Sequence, residues 1–591
     1  MKIEKETRGL RRPGSVCAGV VWLALLLAAA PVTCGQESAE RVALTILATT
    51  DVHGNVWPYD YLQGQDAERG LAKVSAYVRQ VRARQPNTLL VDCGDTFQGT
   101  PLAYLAAEKH AEEPNPVVAT MNAMGYDAMA IGNHEWNFGL HTLWRLKGEA
   151  RFPILGANVA STYHDRLRDF KPYVIRRVGG VRVALLGLVT SSIPRWDPPE
   201  HLVGYEFRDP VEVARKLVPQ LRRKADVVVV LIHSGLGRDA ETGAPVENVY
   251  PEENHVWDLA EQVPGIDVIF FGHSHRELAG KVVNGALLVQ PKNWARSVAE
   301  VELALARDNQ GWRVVDRQSR LVPMDASIPA DPKILELTRT AHQQTERYLS
   351  TVVAELGEDL DARSGRIEDH ALVELIHRAQ LHATGAQVSL ASLFSTRTRW
   401  AAGPVTLRDV YSLYFYENKL FTVEITGRQL KDALEYSARS FATYPWPEDA
   451  APFSGWGYNF DMAQGVTYKI DLSRPPGERI ADLQFEGAAL EPARKLTLAL
   501  NSYRWSGGGG YEMLRHAKIV GRAKKQVREA IIEYLSSRRT IETNVDHNWE
   551  IVPQEARRSL LDWVQPTTST TLHAAPAGIE KSSLTPTAAV P

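Results

Sequence analysis

The sequence predicts a layered α/β fold, and three features of its first half lead to that prediction. Short, continuously apolar segments recur up to about residue 322, as expected of strands buried on both faces. Stretches with helical character separate them, for example residues 71–84 and 211–224. Most of the apolar segments also end abruptly in a polar residue. This alternation is typical of layered α/β structure, in which ligands collect at strand ends.

Five of these apolar segments end in residue types that bind metal ions. Because the carboxyl ends of strands in such sheets lie together, we expect the five ends to converge. A sixth segment, residues 181–189, has the same composition but ends in Thr190 and Ser191, so not every strand carries the signature. The five junctions are residues 42–50 before Asp51-Val52-His53, 88–91 before Asp92-Cys93-Gly94-Asp95, 128–131 before Gly132-Asn133-His134, 227–232 before His233-Ser234, and 268–271 before Gly272-His273-Ser274-His275.

Length and composition narrow the class of protein. The 591 residues suffice for two or more domains with substantial cores. With 67 Lys and Arg against 70 Asp and Glu, the formal charge is -3, which argues against binding of a nucleic-acid polymer as the main role. Cys17 and Cys34 lie in or beside the N-terminal apolar segment, which leaves Cys93 and no disulfide framework. The sequence gives no indication of oligomeric state.

The N-terminus has the pattern of a secretory signal. Arg8, Arg11 and Arg12 precede an apolar run over residues 16–30, and small residues follow. A membrane anchor would need about 20 apolar residues, which this run does not supply. We therefore interpret residues 1–35 as a cleaved signal peptide and expect a periplasmic or secreted protein without a transmembrane span. Lipidation at Cys34 is the less favoured alternative, because the preceding residues fit a lipoprotein box poorly.

The second half of the chain has a different organisation. Residues 326–360 are predicted to form a polar, helical linker, with a helix over 334–349. Helices are expected at 371–381 and 429–437, and strands at 420–425 and 496–500. None of these strands ends in a cluster of metal-binding types, so a second domain with a different role is expected. Residues 565–591 lack the apolar residues to pack and are predicted to be disordered.

The polar strand ends supply the ligands of a site for two divalent metal ions. Two ions about 3.5–4 Å apart can bind phosphate oxygens and activate water for in-line attack, which needs a bridging carboxylate and mixed nitrogen and oxygen donors. Such donors admit Zn, Mn, Fe or Co. Each of these residues alone is more often a cap or a surface residue, but the joint pattern favours a site. The seven candidates are Asp51, His53, Asp95, Asn133, His233, His273 and His275.

Within this set, Asp51 and His53, and likewise His273 and His275, are separated by one residue. On an extended segment that spacing puts two side chains on one side, which suits one ion or two neighbouring ions. His134, next to Asn133, is a candidate acid or base that meets an anionic substrate oxygen.

In their order along the chain, these motifs resemble the calcineurin-like metallophosphoesterase core of the 5′-nucleotidase family. Together with the second half, the resemblance extends over about residues 41–550. It implies a layered β-sandwich flanked by helices at 41–325, followed by a C-terminal α/β nucleotidase domain that binds substrate at 361–550.

The resemblance also implies roles for the polar residues. His134 is expected to stabilise the transition state or to protonate the leaving oxygen. The implied metal ligands are Asp51, His53 and His275 for one ion and Asn133, His233 and His273 for the other, with Asp95 bridging.

One departure from the family pattern concerns the substrate. Typical 5′-nucleotidases read Gly-Asn-His-Glu-Phe-Asp, where the aspartate partners the histidine, whereas this chain has Asn137 at that place. Asn137 cannot hold an imidazolium with a charge, so we expect a weaker acid role for His134. The segment around it is instead similar to the 2′,3′-cyclic-nucleotide 2′-phosphodiesterase/3′-nucleotidase branch.

Two segments of the second half fall where the family binds the nucleoside. Tyr416, Asn418 and Tyr503 are the candidates, since two aromatic rings can clamp a base with about 1–3 kcal/mol of stacking per base. Packing in the core or at a domain interface is the alternative interpretation of both tyrosines. The family has an aspartate where this chain has Gly509, so that base contact is absent. Arg397, or Arg399, is the candidate phosphate ligand, although the local pattern matches poorly.

The leading hypothesis is an exported phosphoesterase with two metal ions that hydrolyses 2′,3′-cyclic nucleotides and then 3′-nucleotides to nucleoside and phosphate. A 5′-nucleotidase or UDP-sugar hydrolase is the alternative within the same class of enzyme. A nucleotide-binding protein without catalysis is the alternative from another class. The filled set of ligand positions and the presence of His134 argue against it.

Overall fold

The computed structural model describes residues 40–564 except 166, 247–251, 310, 448–450 and 454–456, and the side chains of 522–524 are also left undescribed. The predicted signal peptide, residues 1–35, and the predicted disordered tail, residues 565–591, lie outside the described residues. Within the described ranges, no helix has the combination of length and apolar character needed to cross a membrane.

The first half of the chain is built on two six-stranded sheets. The first sheet has parallel pairs at its centre and the second sheet likewise. In spatial order, the first sheet contains Gly311–Pro323, Ser297–Asp308, Arg41–Thr49, Thr88–Asp92, Ala128–Ala130 and Ile154–Leu155. The second sheet contains Leu278–Val283, Ala286–Gln290, Val268–Phe271, Val227–His233, Val181–Val189 and Tyr173–Val178.

The two sheets pack face to face, and helices cover both outer faces. Residues such as Ile46 and Val91 of the first sheet and Leu185 and Leu231 of the second share one buried core. Each sheet is buried on its outer face as well as on its inner face, which explains why its strands are continuous apolar runs. Helices on the first sheet are Leu71–Arg84, Pro101–Tyr104, Pro116–Met124 and Gly139–Glu149, and those on the second are Pro210–Arg222 and Val256–Gln262.

The second half of the chain has its own core and two larger sheets, one of five strands and one of four. Helices Ala371–Thr384, Leu407–Leu413, Gly427–Ala438, Val527–Arg538 and Gln554–Val564 pack around them. The five-stranded sheet contains, in spatial order, Asp461–Gln464, Val388–Ser392, Lys495–Asn501, Lys419–Thr426 and Lys518–Gln526, and the four-stranded sheet contains Ala488–Ala489, Ile480–Phe485, Thr467–Asp471 and Trp549–Val552.

The helix Pro332–Leu349 lies within the segment predicted as a linker and contacts both halves. Its Thr338 accepts a hydrogen bond of 2.8 Å from the Trp57 indole, and its His342 ring stacks on that indole at 3.8 Å. Towards the second half, Glu346 pairs with Arg408 at 3.0 Å. The predicted sandwich with helical flanks and the separate α/β second half are confirmed, whereas the exact domain boundaries stay a prediction.

Candidate functional site

The structure brings the five polar strand ends together at one edge of the sandwich. In the first sheet, Arg41–Thr49, Thr88–Asp92 and Ala128–Ala130 run parallel, and in the second sheet Val227–His233 and Val268–Phe271 run parallel. Their carboxyl ends therefore meet where the two sheets face each other. The donor atoms form two groups, each with its members within 4.8 Å of one another, which are Asp51 with His53 and His275, and Asp95 with His233 and His273.

Asn133 completes the second group. Its Oδ1 lies 3.0 Å from Nδ1 of His273, while Nε2 of His233 lies 2.9 Å from a carboxylate oxygen of Asp95. All four side chains are buried. The two groups are adjacent, because Nε2 of His233 also lies 4.0 Å from Asp51.

The donor atoms face one another in a way that fits a bound cation. Nε2 of His53 lies 3.0 Å from Nε2 of His275, which in turn is 3.2 Å from a carboxylate oxygen of Asp51. His53 donates from Nδ1 to the main-chain oxygen of Gln98 at 3.0 Å, so its Nε2 turns a lone pair into this space. Buried imidazole and carboxylate donors around one point are the set that borderline divalent metals prefer.

The spacing of the ligand pairs predicted an extended backbone, but the structure shows that the backbone at these ligands is not extended. Asp51, His53, Asp95, His273 and His275 all adopt left-handed conformations, with φ of 49°, 48°, 57°, 71° and 53°. Such a conformation costs a non-glycine residue about 1–3 kcal/mol and persists where the surroundings impose it. The turns explain the difference, because an extended segment would carry the second ligand of each pair away from the point where the strands meet.

Glu135 holds two of these turns together. Its buried carboxylate accepts hydrogen bonds from the main-chain N–H groups of Gly132, Asp95, Thr96 and Phe97 at 2.8, 2.9, 2.6 and 3.2 Å. Burial raises the pKa of Glu135. Glu135 was not among the residues predicted to be functional, although a glutamate inside a short polar loop between buried segments is a detectable signal for this bridging role.

Burial and neighbouring charges set the protonation states of the donor residues. Burial by itself would raise the pKa of Asp51, but the neighbouring His275 and His233 outweigh it and lower that pKa to about 2. Burial and then His275 lower the pKa of His53 to about 3. Asp51 is therefore anionic and His53 neutral near pH 7, which are the protonation states that metal ligands require.

His134 stands at the rim of the metal-ligand cluster. Its main-chain N–H donates to Asp95 at 2.8 Å, and its ring is 16% exposed with Nε2 3.9 Å from the same carboxylate. Nδ1 lies 2.6 Å from Oδ1 of Asn137. Burial would lower the pKa of His134, but Asp95 and then Asn137 outweigh it and raise that pKa.

The amide of Asn137, which is the direct partner of the His134 ring, has a carboxylate behind it. Nδ2 of Asn137 donates to Asp197 at 3.0 Å, so a carboxylate backs the histidine through the amide. Asp197 is not evident as a functional residue in the sequence, because it follows the sixth strand, Val181–Val189, whose end carries no metal-binding residue type.

Comparison with known proteins identifies the family. Residues 44–277 match the calcineurin-like phosphoesterase family and residues 348–516 match the 5′-nucleotidase C-terminal domain. A Haemophilus influenzae protein named 2′,3′-cyclic-nucleotide 2′-phosphodiesterase/3′-nucleotidase is 30% identical over 87% of this chain and 88% of its own length. The chain belongs to the 5′-nucleotidase family. It is a metal-dependent phosphoesterase, and its family uses two divalent metal ions.

Two further relatives support membership of the 5′-nucleotidase family. A trifunctional nucleotide phosphoesterase of Bacillus subtilis is 29% identical over 90% of this chain, which spans 40% of the length of that protein. The crystal structure of a 5′-nucleotidase from Staphylococcus aureus, described there as putative, superimposes with a TM-score of 0.76 at 27% identity, covering 86% of this chain and all of that one.

The C-terminal domain of this 5′-nucleotidase family member has an aromatic pocket. Tyr416, Asn418 and Tyr503 line it together, whereas Arg397 is exposed and outside its lining. The Phe394 ring meets Tyr416 edge to face at 4.7 Å. The other lining residues, which the sequence analysis did not single out, are Phe394, Tyr458, Asn501 and Arg504.

Gly509, where the 5′-nucleotidase family pattern has an aspartate, has no room for a side chain. Its φ is +71°, and a Cβ atom there would lie 2.0 Å from Oδ1 of Asn459. Its main-chain oxygen accepts a hydrogen bond of 2.8 Å from Tyr436. The loss of the family's aspartate is therefore accompanied by a local packing that only glycine fits.

Proposed function

We propose that this chain hydrolyses 2′,3′-cyclic nucleotides and then removes phosphate from the resulting 3′-nucleotides. The observation that carries the reaction class is the convergence of two buried donor groups beside His134. The choice of substrate is supported by Asn137 and by relatives from Haemophilus influenzae and Salmonella typhimurium, both named 2′,3′-cyclic-nucleotide 2′-phosphodiesterase/3′-nucleotidase. The Salmonella protein is 29% identical over 91% of its length.

In this proposal each donor group holds one metal ion. Bound there, the two ions supply the positive charge that neutralises phosphate oxygens and activates water. Asp95 is the carboxylate proposed to be shared, because the Nε2 atom of His233 that it contacts at 2.9 Å also lies 4.0 Å from Asp51 of the other group. The proposed ligands are Asp51, His53 and His275 for one ion and Asn133, His233 and His273 for the other, with Asp95 shared.

The chain's own residues orient the substrate and handle the proton. Nδ1 of His134 is engaged by Asn137, so Nε2 is the atom that faces the phosphoester and donates to the leaving oxygen. Tyr416, Asn418 and Tyr503 are proposed to bind the nucleoside in the aromatic pocket. Arg397 is left out of the proposed site because its side chain is exposed and does not line that pocket.

The proposal includes export to the periplasm or the medium. Its support is the basic, apolar and small-residue order of residues 1–35. N-terminal sequencing of the protein recovered from the periplasm or medium of expressing cells tests it. A mature chain that begins near residue 35 is expected, and an uncleaved chain retained in the cytosol would refute export without affecting the enzymatic proposal.

The test of the enzymatic proposal is release of phosphate and nucleoside by the protein loaded with Mn²⁺ or Zn²⁺. The substrates compared are 2′,3′-cyclic AMP, 3′-AMP, 5′-AMP and UDP-glucose. We expect hydrolysis of the first two to exceed that of the others. Failure to hydrolyse any of the four would overturn the proposal.

A 5′-nucleotidase or UDP-sugar hydrolase is the second candidate, favoured by the similarity of fold to the Staphylococcus aureus structure. A preference for 5′-AMP or UDP-glucose in the same assay would establish it and leave the metal site unchanged. A nucleotide-binding protein without catalysis would bind these nucleotides and release no product.

A further inference from the structure

The segment that follows the sixth strand lies over the metal-ligand cluster. Strand Val181–Val189 pairs in parallel with Val227–His233, so its carboxyl end points to the same place as His233. Residues 190–201 continue from there across the cluster. The Trp196 ring stacks on His273 at 5.6 Å with an interplanar angle of 27°. The strand without a metal-binding residue type therefore leads into a segment that contacts the ligands.

Asp197, the next residue, decides which way the amide of Asn137 points. An amide group has one end that donates and one that accepts, whereas a carboxylate only accepts hydrogen bonds. Because Asp197 takes the Nδ2 end at 3.0 Å, the Oδ1 end must face His134, where it lies 2.6 Å from Nδ1. His134 can then make this bond only by donating from Nδ1, which leaves the Nε2 lone pair or proton on the open side of the ring.

We propose that Asp197 is a positioning residue which, through the amide of Asn137, holds His134 in one ring orientation with Nδ1 protonated and Nε2 directed at the phosphoester. The inference rests on the proposed role of His134 in phosphoester hydrolysis. A carboxylate placed one residue further from the imidazole thus does the orienting work that a direct aspartate would do at residue 137. Asp197 is buried, with 6% of its surface exposed, so water does not compete for the contact.

The second half of the chain contacts Asp197 indirectly, through His201. Nδ1 of His201 lies 3.7 Å from Asp197, and its Nε2 accepts a hydrogen bond of 2.9 Å from the Lys419 ammonium. Lys419 follows Tyr416 and Asn418 of the aromatic pocket by one to three residues. The position of Asp197 is therefore supported from the side that holds the proposed nucleoside site.

The kinetic test exchanges the amide of residue 137 and the carboxylate of residue 197, first singly and then together. Asp197→Asn removes the group that fixes the amide, and we expect kcat to fall about tenfold to a hundredfold with KM nearly unchanged. Asn137→Asp alone places two carboxylates side by side and should be impaired as well. The double variant Asn137→Asp with Asp197→Asn restores one acceptor towards His134 and one donor behind it, and kcat should return to within about fivefold of the wild type.

Matched controls separate positioning from a structural role. Glu206→Gln removes an exposed carboxylate from the nearby strand Tyr205–Phe207 and should leave kcat unchanged. Metal content and thermal midpoint are measured for every variant. An unimpaired Asp197→Asn, or a double variant as slow as Asp197→Asn although it folds and holds its metal, would overturn the inference.

A second readout needs no turnover. In Zn²⁺-loaded protein with ¹⁵N-labelled histidine, the ring nitrogens of His134, assigned by their loss in His134→Gln, should show a protonated Nδ1 in the wild type. Asp197→Asn should shift them towards a mixture of tautomers. If the wild type hydrolyses none of the nucleotides but shows this signature, the proposed function fails and the positioning role stands. An unprotonated Nδ1 in the wild type, or identical shifts in Asp197→Asn, would refute the positioning role itself.

Discussion

The metal-ligand cluster of the first half and the aromatic pocket of the second half are built by different means. The seven donor residues of the cluster lie at or just after the ends of five buried strands, and five of them have left-handed backbone conformations. The pocket is lined by side chains such as Phe394 and Tyr416, which also pack against the core of the second half. Among the described residues, none of those that line the pocket has a left-handed conformation.

The difference shows what each kind of chemistry demands from the chain. A metal site needs particular donor atoms at one point, and the backbone accepts strain to bring them there. A base-stacking pocket needs only flat apolar surfaces, which ordinary packing supplies. Substitutions in the cluster should therefore affect catalysis, whereas substitutions in the pocket should affect binding or stability.

The largest expected effect is that of Asp95→Asn. The substitution keeps the shape of the side chain but removes the charge shared between the two donor groups, so kcat should fall by about a thousandfold or more. Nucleotide binding, measured by equilibrium dialysis, should persist because the aromatic pocket is untouched. A variant that retains wild-type turnover would show that the cluster does not perform the reaction.

The pocket is expected to depend on the buried ion pair beneath it. Arg504 contacts Asp461 at 2.6 Å, and both side chains are at most 3% exposed. Asp461→Ala leaves a buried guanidinium without its partner and should lower the free energy of unfolding by about 3–5 kcal/mol. This free energy is measured by urea unfolding of the variant and of the wild type. The exposed pair of Lys469 and Asp482 offers the control, since Asp482→Asn should produce no measurable change.

Tyr416→Ala separates the two interpretations of the pocket. If the ring stacks on a base, KM should rise by about fivefold to 150-fold, corresponding to about 1–3 kcal/mol, with kcat little changed. Tyr416→Phe keeps the flat surface and should bind like the wild type. A lower thermal midpoint with an unchanged KM would instead assign Tyr416 to the core.

The smallest expected effect is on stability and comes from a cluster of three acidic residues in the second half. This cluster resembles a metal site only in composition. Asp369, Glu374 and Asp546 lie close together, but Glu374 pairs with Arg378 at 3.2 Å, and none of the three acids has a left-handed backbone. Burial, and then the neighbouring acids, raise the pKa of Glu374 to about 7 from 4.5. The folded chain therefore binds more protons than the unfolded chain between these values.

The free energy of unfolding therefore falls as the pH rises from about 4.5 to about 7, because Glu374 must lose its proton in the folded chain at a cost. Above this range the loss is complete and no longer changes with pH. The free energy of unfolding is measured with urea at pH 5 and at pH 8 in the wild type and in Glu374→Gln. The decrease between the two pH values should be smaller in the variant by on the order of 1–2 kcal/mol. An identical pH dependence in both proteins would contradict this account of the acidic group.

The same comparison explains how much of the molecule could be predicted from the sequence. The helix Leu71–Arg84 and the strands Val181–Val189 and Val268–Phe271 have the predicted bounds, because continuous burial leaves a clear apolar pattern. The metal-binding types at strand ends were equally visible, and the structure places all seven together. Residues that act through contacts distant in sequence were not visible.

Asp197 is the clearest example of this second kind. It lies sixty residues from Asn137, and no local pattern distinguishes it from a surface aspartate. The left-handed turns at His53 and His275 were missed for a related reason, since they are imposed by the meeting of two sheets. Phe394 and Tyr458 of the pocket look like core residues in the sequence because they also pack as core residues do.

The central claim is that the converging strand ends bind two divalent ions. The most direct measurement is anomalous X-ray diffraction from crystals of the Mn²⁺- or Zn²⁺-loaded protein, with the metal content of the same sample determined by mass spectrometry. We expect two ions per chain, one beside Asp51, His53 and His275 and the other beside Asn133, His233 and His273, with His275→Ala losing the first ion. A single ion, or ions bound elsewhere, would contradict the account.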